Sequence, residues 1–362
     1  MPPIFLRLSR HEGIPVRTRG NLIAGVPALL PALLACFLTG CSGSGRDGAV
    51  VVYTSVDDVF ARPIARRFTE DTGIEVRLVP DTEETKSTGL LNRLIAEKNR
   101  PVADVFWSGD PVRAAVLKRK GILAPHHPQQ AKDLPKHFSD PDGYWTGFSA
   151  RARVLIYNRT LVPQAEEPKS VMDLLDSRFQ GKACIANPLF GTTSMHAAAL
   201  FAVLGEEKAR AFFERFAANE GKVLSSNGEV RRRVAAGEFA VGITDTDDAN
   251  VARLDGKPIG VVFPDVGGIG TLIIPNCVVM IAGGPNADAA RHFIDYLLRP
   301  ETEKALAECD AAQIPVRRGV PTPTSMIPLE KLDPMEVDYD ALAPILEELS
   351  EGYLKKWVDR NR

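Results

Sequence analysis

The sequence predicts an α/β protein whose sheets are mainly parallel. Short apolar, β-branched runs alternate with amphipathic segments of about 10 to 15 residues, which is the pattern of repeated strand–helix–strand units. The chain has 362 residues, enough for two cores of ordinary size. Apolar residues make up 44% and charged residues 25%, the balance of a globular protein.

The N-terminal region predicts a targeting segment. Four arginines precede an apolar run at 22–38, and the small residues of "LTG" precede Cys41. We interpret residues 1–40 as a cleaved secretory signal and 41–48 as a flexible Gly/Ser tether. An uncleaved membrane span is the alternative, because the run approaches the length that a span needs.

Residues 50–80 show the alternation clearly. The run "VVVYTS" predicts a buried strand. Phe60, Ile64 and Phe68 then recur every four residues, which predicts a helix that ends at Gly73. Further strands are predicted at 74–80 and 103–109, and further helices at 88–100 and 110–121.

The second part of the chain repeats the pattern. The run at 151–160 predicts a long strand with which the chain leaves a first lobe. Strand–helix units are then predicted at 181–205, 222–237 and 239–254, a β-rich return crossing at 258–284, and helices at 286–308, with a break at Pro300, and 341–358.

Charge and cysteine content exclude several classes of function. Without residues 1–40 the chain has 40 basic and 45 acidic residues, a net charge of −5, so nucleic acid is not an expected partner. Cys184, Cys277 and Cys309 are widely spaced and odd in number, which predicts small buried residues and no disulfide framework. The sequence has no G-x-S-x-G, H-E-x-x-H or Walker pattern.

Polar residues collect where predicted strands end and helices begin. In an open α/β sheet, ligands bind beyond the carboxyl ends of the strands, and helix N-termini there favour anions. Capping of the helices is the alternative role for each residue. The candidate ligand-binding residues are Ser55, Asp57, Ser108, Asp110, Thr192, Thr193, Asp245, Thr246 and Asp247.

The aspartates in "GITDTDDANVARL" leave two interpretations open. If the segment is helical, Asp245 and Asp248 share a face and Asp247 points away. If it is extended, Asp245 and Asp247 point the same way and can chelate an ion. A calcium loop is excluded, because Ala249 stands at the third ligand position.

Several segments together resemble a known family. They are "VVVYTSVDDVFARPIARRFTEDTGIEV", "PVADVFWSGDP", "ARVLIYNRT", "GKACIANPLFGTTSMHAAALFAVLG", "GEFAVGITDTDDA" and "AAQIPV". They resemble the periplasmic solute-binding proteins of bacterial ABC importers, in particular the ferric-ion-binding and related group. The resemblance implies a two-lobed type II periplasmic-binding fold, each lobe a mainly parallel sheet flanked by helices, joined by crossing hinge strands.

The resemblance also implies the course of the chain and the biological role. Lobe 1 is expected to comprise 49–146 and about 265–325, and lobe 2 to comprise 147–264 and about 326–362. The expected role is that of a monomeric binding protein, not an enzyme, which delivers a solute to an ABC permease and its ATPase. Alternatives are a ligand-sensing lipoprotein or a secreted enzyme. The "LTGC" segment resembles a lipobox, which implies a lipid on Cys41 and anchoring in the cell envelope.

The resemblance leaves the ligand open. Ferric-binding members hold the ion with a His, a Glu and two adjacent Tyr. The corresponding positions in this sequence are occupied by Asp57, by Gly109 and by the pair Thr246 and Asp247. We expect no cofactor, and the cargo to be either a metal ion such as Fe³⁺, held by Asp57 and Asp247 with a synergistic anion, or a small anionic or organic solute such as a phosphonate.

Overall fold

The structure, a computed structural model, describes residues 48–81 and 87–361. Strands and helices alternate in the first part of the chain, as predicted. The strands are β1 (Val50–Thr54), β2 (Val76–Pro80), β3 (Val105–Ser108), β4 (Leu123–Ala124) and β5 (Thr146–Asn158), and the helices are α1 (Asp58–Thr72), α2 (Thr88–Ala96) and α3 (Pro111–Arg119).

The same alternation continues beyond β5 and ends in a run of helices. The strands are β6 (Ala183–Ala186), β7 (Lys222–Leu224), β8 (Val241–Asp245), β9 (Ile259–Val262) and β10 (Ile273–Ile281). The helices are α4 (Gly191–Leu204), α5 (Glu206–Ala218), α6 (Asn227–Ala235), α7 (Thr246–Leu254), α8 (Ala287–Leu297), α9 (Pro300–Glu308), α10 (Tyr339–Glu351) and α11 (Tyr353–Asn361).

Two parallel groups of strands are joined through antiparallel strands. The order is β2-β1-β3-β10-β5-β8-β6-β7. Strand β1 pairs in parallel with β2 and β3, and β6 pairs in parallel with β7 and β8. We call β1–β3 with α1–α3 the first half, and β6–β8 with α4–α7 the second half. This arrangement agrees with the predicted α/β architecture.

Strand β5 runs through both halves. Its residues 146–152 pair with β10, and its residues 153–158 pair with β8 and β9. Helix α10 packs against both α3 and α4, so the C-terminal region also touches both halves. The lobe boundaries expected from the sequence stay a prediction.

Several elements, among them β4, differ from the prediction. Strand β5 begins at Thr146 and not at 151, and α5 had not been predicted. The predicted late helix is divided between α10 and α11 at Gly352. A Cβ atom at Gly352 would lie 2.7 Å from the carbonyl oxygen of Glu348, so the turn between the helices requires glycine.

Burial agrees with the predicted apolar patterns. Ile64 and Phe68 of α1 are buried, and the helix ends at Gly73, whose φ is +75°, a left-handed cap that favours glycine. Cys184 and Cys277 are buried and, like Cys309, free. Among the described residues, no helix is both long and apolar enough to cross a membrane. The signal segment, Cys41 and the tether as far as residue 47 lie outside the described residues.

Candidate functional site

A cleft lies between the two halves, at the carboxyl ends of their parallel strands. It encloses about 580 Å³ of space, part of it open to solvent. Six of the nine predicted residues line it: Ser55, Asp57, Thr192, Thr193, Asp245 and Asp247. The structure thus brings together side chains from positions that are up to 192 apart in the sequence.

The other three predicted residues do not line the cleft. Ser108 is fully buried and its hydroxyl donates to the carbonyl oxygen of Asp110 at 2.7 Å. The Asp110 carboxylate caps α3 by accepting from the backbone N–H of Arg113 at 3.1 Å. Thr246 lines a neighbouring cavity, and its hydroxyl accepts from the N–H of Ala152. Hydrogen bonds to backbone groups therefore hold these side chains away from the cleft.

The aspartate segment begins a helix and also lines the cleft. Asp245 is the extended residue before α7, and its side chain makes no capping hydrogen bond. Asp247 and Asp248 lie in the first turn, yet all three line the cleft. The expectation that Asp247 points away in a helix is wrong, because Asp245 precedes the helix and does not share its geometry.

Arg153 forms hydrogen bonds with several residues that line the cleft. The antiparallel register of β5 and β8 places it directly opposite Asp245. Its Nη1 lies 2.7 Å from Asp245 Oδ1, 3.0 Å from the Thr192 hydroxyl and 3.1 Å from Asn227 Oδ1. Asp245 Oδ2 accepts from Thr192 at 2.7 Å. The predicted residues Thr192 and Asp245 are therefore parts of one buried network.

Arg151 lies two residues earlier on the same face of β5 and joins the halves. Its Nη2 donates to the carbonyl oxygen of Gly109 in the first half, and its Nη1 lies 3.5 Å from Asp247 Oδ2 in the second. The side chain is 6% exposed and lines the cleft. Its Nε is buried and has no hydrogen-bond partner among the described residues.

The pKa shifts reflect this arrangement. Burial alone would lower the pKa of Arg151, but the negative charges of Asp247, Asp245 and Asp57 raise it. Burial alone would raise the pKa of Asp245, but Arg153 and Arg151 lower it. Both groups are therefore charged at neutral pH, and each stabilises the charge of the other.

The carboxylate cluster is matched by arginines. Carboxylate oxygens of Asp245, Asp247 and Asp248 lie within 4.8 Å of one another. Each also has an arginine nitrogen within 4 Å. Arg153 lies 2.7 Å from Asp245, Arg151 lies 3.5 Å from Asp247, and Arg231 lies 3.8 Å from Asp248. The cluster is therefore not a bare acidic cage.

The N-terminus of α4 supplies hydrogen-bond donors to the same cleft. Gly191, Thr192 and Thr193 form the first turn and line the cleft, and no side chain caps this helix. The first N–H groups of a helix have no partner within it and carry partial positive charge. This turn can therefore donate hydrogen bonds to an anionic oxygen.

Sequence reasoning missed several polar residues of the cleft and its wall. These are Ser87, Arg151, Arg153, Asn187, Ser225, Ser226 and Asn227. The signal for the arginines was present, since "RAR" places two charges on one face of an otherwise apolar strand. A buried charge of this kind requires a partner.

No histidine lines the cleft among the described residues. His196, in α4, is 4% exposed, and burial, helped by the charge of Arg153, lowers its pKa to about 3. It is therefore neutral at physiological pH and has no acidic proton to offer a reaction. Among the described residues, the lining of the cleft contains polar groups that can orient a solute and no nucleophile–base pair with a histidine.

A model of a bacterial extracellular solute-binding protein family matches residues 64–331. The chain belongs to this family of solute-binding proteins. The match and the fold confirm the family and the two-lobed binding-protein architecture predicted from the sequence, and also the prediction of a binding protein, not an enzyme.

Curated relatives of this solute-binding protein fall into more than one group. Iron uptake protein A1 of Synechocystis is 28% identical over 350 residues, which cover 94% of this chain and 96% of the relative. A probable ABC transporter periplasmic-binding protein of Sinorhizobium fredii, y4fP, is 30% identical, with 71% and 74% covered. A putative 2-aminoethylphosphonate-binding periplasmic protein of Salmonella typhimurium is 28% identical, with 80% and 85% covered.

Solved structures share the fold of this solute-binding protein. Iron-bound HitA from Pseudomonas aeruginosa has a TM-score of 0.77 at 23% identity, and the match covers 86% of this chain and 99% of HitA. AfuA from Actinobacillus pleuropneumoniae, solved with fructose-6-phosphate, has a TM-score of 0.76 at 23% identity, with 87% and 98% covered. These likenesses to solved structures show the fold alone. The family match and the curated relatives show that the protein is a solute-binding protein of an ABC importer.

Proposed function

We propose that the protein captures a small organic solute that carries an anionic group, such as a phosphonate, together with an amine. It then delivers this solute to an ABC permease and its ATPase. The observation that carries the proposal is the pairing of Asp245, Asp247 and Asp248 with arginines at the cleft. A cleft with both guanidinium and carboxylate groups suits a zwitterion better than a bare ion of either sign.

The anionic end has donors available to it. The uncapped first turn of α4 offers N–H groups, and the guanidinium group of Arg151, which lines the cleft, adds positive charge beside them. Asp57, at the start of the first half's helix α1, also lines the cleft, in addition to the three aspartates that are paired with arginines. Carboxylates from both halves suit the ammonium group of an aminophosphonate.

Ferric binding through phenolates is not supported by the cleft. Among the described residues, its lining holds no Tyr, His or Cys. Fe³⁺ would have to displace Arg153 from Asp245 and Arg151 from Asp247. Hard cations are held by anionic oxygen ligands, so each displaced arginine would leave a repulsive charge beside the ion.

A second candidate cargo is a metal ion bound with a synergistic anion. The observation that favours it is the 4.8 Å cluster of Asp245, Asp247 and Asp248 oxygens, with Asp57 on the facing half. In this arrangement the anion would lie on the first turn of α4 and separate the metal from the arginines.

Ligand titrations separate the two candidates. We expect 2-aminoethylphosphonate to raise the melting temperature, whereas ethylphosphonate and ethanolamine, which each lack one charged group, should have much smaller effects. A ligand at 100 times its Kd adds about 2.7 kcal/mol of stability. Stabilisation by Fe³⁺-citrate, with metal retained in native mass spectrometry, and none by 2-aminoethylphosphonate would overturn the proposal.

Two variants test the roles of the charged groups. Arg151→Gln should weaken 2-aminoethylphosphonate binding by about tenfold or more, since one hydrogen bond to a charged group contributes about 1.5–3 kcal/mol. Asp57→Asn should weaken 2-aminoethylphosphonate but leave ethylphosphonate unchanged. Thr246→Ser is the matched control, because this side chain lies in the neighbouring cavity, and its affinity should equal that of the wild type.

We also propose that Cys41 carries a lipid that anchors the protein in the cell envelope. The support is the sequence "LTGC" after an apolar run. Labelling cells with a fatty-acid analogue should mark the wild type and not Cys41→Ala. Equal labelling of both would contradict the anchor and leave the solute proposal unaffected.

A further inference from the structure

Arg113 of α3 is a buried cation that reaches from the first half to the second. It is 1% exposed. Its Nη1 lies 3.2 Å from Asp110 Oδ2 within α3, and its Nη2 donates to the hydroxyl of Ser194 in α4 at 2.5 Å. The same Nη2 lies 3.5 Å from the hydroxyl of Thr88 in α2. One guanidinium group therefore connects three helices, one of which belongs to the opposite half.

A second contact lies at the same seam. The Thr88 hydroxyl donates to the carbonyl oxygen of Leu189, just before α4, at 3.4 Å. The Ser194 hydroxyl in turn donates to the carbonyl oxygen of Gly191 at 2.7 Å. The seam therefore connects directly to the first turn of α4, which lines the cleft.

The seam is adjacent to the ligand site but separate from it. Arg113, Ser194 and Thr88 do not line the cleft, although their neighbours Thr193 and Ser87 do. Helix α10 packs on both α3 and α4 and so spans the two helices that the guanidinium joins. A hydrogen bond to a charged group is worth more when it is shielded from water.

We propose that Arg113 is a positioning residue that stabilises the contact between the halves, both without a solute and when they have closed on one. It does so by holding Ser194 and the first turn of α4 against α3. This inference rests on the proposed function, because it assumes that the halves close around the ligand. Arg113 touches no ligand. It stabilises the closed state, and in a closing protein that stabilisation sets how slowly the solute leaves.

The expected effect of Ser194→Ala is faster release with unchanged capture. Loss of a hydrogen bond to a charged group should accelerate dissociation of 2-aminoethylphosphonate about tenfold, which corresponds to 1.4 kcal/mol. The association rate should stay within about twofold, because ligand contacts are intact. Arg113→Lys should have a similar effect, since the amine keeps the charge beside Asp110 but cannot also hold Ser194 and Thr88.

Thr302→Val is the matched control. The Thr302 hydroxyl is buried and donates to the carbonyl oxygen of Tyr296 at 3.0 Å, so the variant also removes a buried hydrogen bond but not one between the halves. It is expected to lower stability without changing either rate. A purely structural role for Ser194 would give the same result as this control.

The test uses stopped-flow binding of 2-aminoethylphosphonate and small-angle X-ray scattering of the purified protein without ligand. The scattering does not depend on the proposed ligand and is expected to show a larger radius of gyration for Ser194→Ala than for Thr302→Val. Equal dissociation rates in Ser194→Ala and Thr302→Val would overturn this role of Arg113. If 2-aminoethylphosphonate does not bind the wild type, the ligand assignment fails, and equal radii of gyration would then overturn the role of Arg113 separately.

Discussion

The buried ion pair of Arg153 and Asp245 allows a direct test of the cleft wall. Replacing Asp245 by asparagine should lower the free energy of unfolding by about 3–5 kcal/mol, because Arg153 is left as an uncompensated buried charge. The side chains are 0% and 5% exposed, so solvent screening does not reduce this cost. Asparagine keeps an acceptor for Thr192 and so isolates the effect of charge.

The assay is urea unfolding at pH 7, with Asp248→Asn as the matched control. Asp248 is 19% exposed and lies 3.8 Å from Arg231, so its replacement should cost about 1 kcal/mol or less. A loss below 1 kcal/mol for Asp245→Asn would refute the reasoning.

The same pair also sets a pH dependence. Because Arg153 and Arg151 lower the pKa of Asp245 against the effect of burial, its contribution is present above the unfolded pKa of about 3.9. The contribution is lost as the pH falls through the folded value. The difference in stability between wild type and Asp245→Asn should therefore shrink below about pH 4.

Three further substitutions test other parts of the structure. Phe68→Ala should cost about 3–5 kcal/mol of unfolding free energy in urea, since this fully buried ring packs edge-on against Phe293 at 5.1 Å; a cost below 1 kcal/mol would contradict that packing. The wild type is expected to lose stability as the pH falls from 6.5 to about 3, at about 1.4 kcal/mol per pH unit, because burial keeps His196 neutral in the folded state. His196→Gln should remove this loss. Parallel profiles of stability against pH for the two proteins would contradict the prediction. Gly260→Ala should cost about 1–3 kcal/mol, since the new methyl group would overlap the ring of Tyr157, and an unchanged melting temperature would show that the ring has room to move.

Inner parallel strands such as β1, β3 and β6 were predictable because they are buried and their sequences are nearly continuous apolar runs. Strand β1, "VVVYT", is an example. Strand β5 was harder, because "TGFSARARVLIYN" mixes small, polar and charged residues with apolar ones although all 13 are buried. Its first residues were therefore not predicted as part of the strand. Their partners lie on β10, which is more than a hundred residues away in the sequence.

The candidate site was predictable only in part, because equivalent junctions use the same residue types differently. Asp57 and Asp110 both precede a helix, yet Asp57 lines the cleft whereas Asp110 caps α3 and pairs with Arg113. Nothing local in the sequence separates these roles. Arg153 was missed for a related reason, since its partner Asp245 is 92 residues away and only the strand register brings them together.

Strand β5 carries Arg151 and Arg153 and is also the strand shared by both halves. A substitution at either arginine therefore alters the joint between the halves as well as the chemistry of the pocket. Evolution toward a new cargo is more readily accommodated at the loops around Asn187 and Asn227, which line the cleft or its wall without crossing between the sheets. Engineers who wish to retarget such a receptor should vary those loops first and keep the shared strand constant.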